Sequence, residues 1–144
     1  HARLFNCPNF KQFTNNLVPG KFDEDSLSRD ETRLLIPFFT KEKQLHAYQG
    51  RALDPSKVKY ITIILDDSVP KVFGLDNVDF TKKCYVFEGP IDSMFIPNAI
   101  ATAGGDGDCR VRSCCQIRLD AVCCLRWRLR QCREPCIPRR FCVF

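Results

Sequence analysis

Between Cys84 and Cys109 the chain reads CYVFEGPIDSMFIPNAIATAGGDGDC: an apolar run ending in Glu88-Gly89, a helix-compatible segment carrying Asp92, a second apolar run, then Asp106 and Asp108. Carboxylates collected at strand ends suit a hard divalent cation, because Mg²⁺ takes a few carboxylates and keeps water positions for phosphate oxygens. Asp92 follows Glu88 by one helical turn, so the two carboxylates can face one crevice. Gly89 between them lets backbone or ligand approach closely. A plainer reading of the same residues makes Glu88 a cap for the helix and Asp92 a first-turn acid favoured by the helix dipole. The residues alone leave both open.

The elements that would position these acids follow from punctuation and periodicity. Phe5, Phe10, Phe13 and Leu17 have helix-compatible spacing, and Pro8 and Pro19 confine any helix to the middle of that stretch. The acidic run Asp23 to Glu31 reads as a solvated connection. Three strand-like runs come next, RLLIPFF, QLHAYQGRAL and VKYITIIL, separated by TKEK and DPSK, which predicts an antiparallel sheet. GLDNVDF is a short helical candidate. Cys84 to Phe87 is an unbroken apolar run suited to a strand buried on both faces. Pro90 is a favoured first helical residue, predicting a helix to about Asn98, and AIATAGG reads as a second buried strand. Strand, helix, strand is the grammar of a Rossmann-like βαβ unit in a parallel sheet, where function collects at the carboxyl ends of strands. The fold class is α/β, or α+β overall, with a mainly antiparallel subdomain first.

Charge divides the chain differently. The net charge is +5, but residues 1 to 108 carry 13 Lys+Arg against 15 Asp+Glu, whereas 109 to 144 carry 9 against 2. The tail has no lysine, nine arginines and eight cysteines. His1 opens the chain, with no secretory leader and no apolar span of the ~18 residues that a membrane helix needs. The reading is a soluble interior fragment, with no membrane partner.

YVFEGPIDSMFIPNAIATAGG resembles the first half of the Toprim domain of bacterial and phage replicative primases. LLIPFFTKEKQLHAYQGRAL is similar to that family's strand pair ending in Gly-Arg, and KYITIILDDSVPKVFGLD to the segment leading into Toprim. NFKQFTNNLVPGKFD looks closer to the phage versions. The resemblance covers about residues 5 to 107. It implies the end of an N-terminal catalytic subdomain over 1–81 and the first half of a Toprim domain over 82–108; the Cys/Arg-rich tail over 109–144 lies outside the resemblance, and its composition reads as non-native sequence with no structure expected. The resemblance also implies a template-directed enzyme making short RNA primers on single-stranded DNA from ribonucleoside triphosphates, alongside a replicative helicase in the cytoplasm, or the host cytoplasm if phage-encoded. Glu88 and Asp92 would belong to the Mg²⁺ (or Mn²⁺) site as catalytic residues, and Arg51, Lys59 and Lys71 match basic positions used toward nucleotide or template phosphates. Topoisomerases and nucleases share the Toprim fold and form the alternative.

The family's second acidic element, Asp-x-Asp, lies roughly forty residues after its glutamate. Asp106 and Asp108 come too early, in the turn after the second strand, and read as loop acids. Where the element belongs, the sequence has AVCCLRWRLRQCREP, with no acidic pair. Reading the codons one base later turns Cys123 into Ala or Val, and with suitable codons WRLRQ becomes Gly-Asp-Tyr-Asp-Asn. This fits a tail translated out of frame, with acids encoded at positions 128 and 130. Two other readings are a zinc or disulfide module, although Cys114-Cys115 and Cys123-Cys124 are not knuckle spacings, and a basic nucleic-acid arm in which Trp127 stacks on a base.

Overall fold

The structure, a computed structural model, describes residues 3–55 and 57–103 and the backbone of 122–124. It comprises two compact units, residues 1–77 and residues 78 onward.

The first unit is built on a four-stranded antiparallel sheet in the order β1-β2-β3-β4, made of β1 (Phe5–Cys7), β2 (Arg33–Phe39), β3 (Leu45–Ala52) and β4 (Tyr60–Ile64). The three strand-like runs of the sequence are thus the three longest strands. Helix α1 (Phe10–Leu17) places Phe10 and Phe13 in a core with Cys7, Leu35, Tyr48, Ile61 and Ile63. Tyr48 Oη lies 3.0 Å from Thr14 Oγ1, which in turn donates to the Phe10 carbonyl at 2.8 Å, so the helix is tied to the sheet through buried polar atoms as well as rings. Strand β1, three residues long, was not among the expected elements; it exists because its backbone pairs with Arg33 to Leu35 of β2.

Phe10 sits at the middle of this unit. A Cβ on Gly50 would lie 2.4 Å from Phe10 Cε2, so the ring lies on bare backbone. On another side the Arg33 guanidinium carbon is 5.6 Å from the ring centroid. Arg33 is fully buried, and its Nη1 donates to the carbonyls of Gly50 and Val58, each at 2.9 Å. Its Nε donates to Glu31 at 2.8 Å, and its Nη2 bonds the same carboxylate. A buried guanidinium is tolerable only when its donors are satisfied this completely.

The acidic run departs from its expected role as a solvated connection. Glu24–Ser28 is a short helix, α2, whose N-cap Asp23 accepts from the Ser26 amide at 2.7 Å. Asp30 accepts from the Lys11 and Gln12 amides at 2.8 and 2.9 Å, capping α1 from a distance where Asn9, the local N-cap, makes no side-chain bond. Only the charge was visible in sequence; its partners were not. GLDNVDF is likewise a turn and not a helix. Gly74 takes a left-handed φ of 92° and accepts from the Asn77 amide, while Asp76 is drawn into a bidentate pair with Arg3 at 3.0 and 2.9 Å.

The second unit carries a three-stranded parallel sheet in the order β6-β5-β7. Strand β5 is Cys84–Phe87, β6 is Ala99–Ala101 and β7 is Val122–Cys124. Helix α3, Pro90–Ser93, is shorter than expected. After the Ser93 amide bonds Gly89, the amides of Met94, Phe95 and Ile96 bond three residues back, and Pro97 has no amide with which to continue. Among the described residues no helix is long and apolar enough to cross a membrane.

Gly50 lies in ordinary strand backbone, so an added methyl acts sterically. Gly50→Ala is expected to destabilise the first unit by about 1–3 kcal/mol, the range for overpacking a close-packed core. In chemical denaturation the Phe10→Leu background should reduce that cost, and full additivity of the two changes would contradict the contact.

Candidate functional site

The parallel sheet fixes where the acids go. Helix α3 crosses from β5 to β6 on one side, and β7 pairs with β5 on the other in the register Cys84↔Val122 to Val86↔Cys124. Strand β5 is therefore central, and Glu88, the residue after it, stands at the carboxyl end where the strand order reverses. Such switch points leave a crevice for ligands, since successive connections depart to opposite sides. The Glu88 carbonyl accepts from the Ala103 amide at 2.9 Å and the Phe87 carbonyl from the Thr102 amide at 3.0 Å, so the backbone beneath the glutamate is held by the chain leaving β6.

Asp92 joins it through Gly89. A Cβ on Gly89 would meet Asp92 Oδ2 at 2.9 Å, so the carboxylate occupies space that any other residue would fill. Gly89 is the N-cap of α3, with extended backbone at φ −99°, ψ 131°, so it is small for the neighbour's sake and not for its own conformation. The short helix has Pro at its start and Ser93 buried behind it, with Ser93 Oγ donating to the Pro90 carbonyl at 2.7 Å, and this points Asp92 outward. Glu88 and Asp92 are both exposed, and neither side chain has a hydrogen bond or ion pair among the described residues. Of the plainer reading, the Glu88 cap finds no side-chain bond among the described residues, whereas Asp92 does lie in the first turn of α3.

Asp92 lies against Gly89, Glu88 immediately precedes that glycine, and two exposed carboxylates this close along the chain could hold a hard cation that retains water. They do not complete a cage, because no group of three or more His, Cys, Asp or Glu side chains able to hold a metal occurs among the described residues. Asp106, Asp108 and positions 128 and 130 lie outside those residues. So do the tail cysteines and Trp127, apart from the backbone of Cys123 and Cys124.

The basic candidates all belong to the first unit. Arg51, the penultimate residue of β3, lies opposite Tyr60 of β4, and Arg51 Nη1 donates to Tyr60 Oη at 3.2 Å. Lys59 is exposed, with its ammonium 5.5 Å from the Tyr60 ring centroid. The structure thus brings Arg51 and Lys59 to one ring. Lys71 is half-buried after β4 and makes no hydrogen bond or ring contact with that group among the described residues. Tyr60 was not singled out in sequence, where it is one aromatic in a strand-like run; only the cross-strand register shows what it touches. His46 is a core residue: burial pushes its pKa down, against weaker opposing effects of the Val72 backbone and Asp66, and its ring packs on Phe38.

Over 101 residues the chain is 38% identical to the DNA primase of Enterobacteria phage T4. The chain is a relative of the DNA primases. The match takes in 69% of this chain and 28% of the phage primase, so the chain spans little more than a quarter of that relative. No family model matches. Two solved primase structures share the fold. One is the DnaG catalytic core, at TM-score 0.51 and 21% identity over 64% of this chain and 33% of that one. The other is the DnaG primase catalytic domain bound to ssDNA, at TM-score 0.52 and 19% identity over 67% and 37%. The expected mixed architecture, an antiparallel sheet followed by a small parallel one, is the architecture found.

Proposed function

We propose that the chain is part of a DNA primase in which Glu88 and Asp92, at the end of a half Toprim domain, form one half of a Mg²⁺ (or Mn²⁺) site for primer synthesis. The observation that carries this reading is the Asp92 carboxylate lying over Gly89, one residue from the strand-end Glu88, in a chain related to the phage T4 primase. Nucleotidyl transfer joins a 3′ oxygen to the α-phosphorus of an incoming ribonucleoside triphosphate, breaks the α–β bridge and releases pyrophosphate. A bound divalent ion would supply charge neutralisation and alignment of the reacting oxygens. Glu88 and Asp92 would hold that ion. Arg51, Lys59 and Lys71 would offer positive charge to triphosphate or template phosphates, Arg51 with a planar fork suited to two oxygens at once. The template would be single-stranded DNA, the setting the cytoplasm of a cell or infected host, and a replicative helicase the partner.

Domain limits at 1–81, 82–108 and 109–144 belong to the same proposal, as does an out-of-frame origin for the tail. The motivation is the switch from nine lysines and two cysteines before residue 109 to none and eight from residue 109 onward. Strand β7 lies where a parallel strand beside β5 is wanted, and Cys123 and Cys124 stay apolar in either frame. The underlying DNA decides the matter: an open +1 frame with an acidic pair at positions 128 and 130 is expected, and stop codons there would end the idea.

In the intact parent enzyme, supplied with single-stranded template, Mg²⁺ and ribonucleotides, short RNA products are expected. Glu88→Gln should reduce their rate by at least about a hundredfold, the scale seen when one transition-state-stabilising group is removed. The chain alone, with half the acids, should make none. Strand cleavage or relaxation without RNA synthesis by the parent would instead support a Toprim nuclease or topoisomerase.

A further inference from the structure

Around Tyr60 the first unit holds two cations against one aromatic ring. The Arg51 guanidinium carbon lies 5.6 Å from the ring centroid and the Lys59 ammonium 5.5 Å from it. The Arg51–Tyr60 hydrogen bond of 3.2 Å adds a directional link between strands already paired at this register. Neither cation belongs to an ion pair among the described residues, whose three salt bridges are Arg3–Asp76, Arg33–Glu31 and Lys82–Asp79.

The negative face of the ring's quadrupole attracts both cations, and an anion would supply the ionic partner that neither has among the described residues. Tyr60 is half-buried in a sheet strand and has few rotamers, so it is a firmer support than either long cationic chain could be for the other. Arg33, in the same unit, makes the contrast: it too lies against an aromatic ring, but Glu31 neutralises it and its position is wholly buried. The structural arginine is paired, whereas the cations at Tyr60 are half-buried or exposed and unneutralised.

We propose that Tyr60 is a positioning residue that holds Arg51 and Lys59 together as a two-cation clamp for a phosphate group, whether of a nucleoside triphosphate or of a nucleic-acid backbone. The proposal rests on the reading of Arg51 and Lys59 as phosphate contacts and adds the ring that makes them act as a unit.

The test uses the whole 144-residue chain, with ATP and a single-stranded oligothymidylate as separate probes at low ionic strength. Tyr60→Leu should weaken binding of at least one probe by about three- to tenfold, the effect of losing one or two surface cation–π contacts. Tyr60→Phe keeps the ring and loses the hydroxyl bond, so its loss should be smaller; it carries the test if the leucine variant melts early. In a double-mutant cycle Lys59→Ala should cost less affinity with Leu at position 60 than with Tyr, a coupling that a purely structural ring would not produce. A loss confined to ATP assigns the clamp to a triphosphate, and one confined to the oligonucleotide assigns it to a strand backbone; either supports the proposal. If Arg51→Ala weakens binding while both Tyr60 variants bind like the native chain, the positioning role falls and the phosphate reading stands. If Arg51→Ala and Lys59→Ala bind as the native chain does, or the native chain binds neither probe, both fall.

Discussion

The core between α1 and the sheet of the first unit is arranged around one ring on one stretch of bare backbone. Phe10 can enter the sheet only because Gly50 presents no side chain, and once there it fixes the position of α1, the orientation of Tyr48 and the seat of Arg33. Arg33 in turn spends its donors on the carbonyls of Gly50 and Val58, on β3 and just before β4. The Gly-Arg pair near the end of β3 therefore combines two jobs in adjacent residues. Gly50 faces inward and admits the aromatic ring, and Arg51, on the opposite face by strand alternation, meets Tyr60. A side chain at position 50 would disturb the strand that delivers the Arg51 guanidinium.

The second unit applies the same economy to its acids. Gly89 leaves room for the Asp92 carboxylate, and a single helical turn with Pro90 at its head fixes where that carboxylate points. Asn98 then turns the chain back into the sheet. It adopts a left-handed φ of 55°, donates through Nδ2 to the carbonyls of Asp79 and Lys83 at 3.0 and 2.8 Å, and accepts from the Asp79 amide at 2.7 Å. One asparagine thus ties the approach to β5 to the start of β6 and aligns the amino ends of the two parallel strands, the ends opposite Glu88.

What could be read without coordinates was what long runs encode. Arg33–Phe39 and Cys84–Phe87 were legible residue for residue, because hydrophobic runs bounded by turn residues have few alternatives. Glu88 and Asp92 were legible as candidates by their spacing, and the geometry adds that the tip of the Asp92 side chain lies where a Cβ on Gly89 would be. Features made by partners far along the chain were not legible. Strand β1 exists only through its pairing, Asp30 caps a helix nineteen residues before it, and Arg33 looks in sequence like the polar start of a strand although it is the largest fully buried side chain. Tyr60 belongs with these, since its contacts depend on a cross-strand register that the loop between β3 and β4 sets.

The proposed function requires Glu88 and Asp92 to share one cation. Adding substoichiometric Mn²⁺ to the chain and following paramagnetic broadening of its backbone amide resonances tests that most directly. Broadening should begin at Glu88, Gly89 and Asp92, and Gly89→Ala, which displaces only the tip of the Asp92 side chain, should weaken it while leaving the melting temperature unchanged. Broadening that avoids those residues, or that begins at the acidic run Asp23 to Glu31, would contradict the assignment.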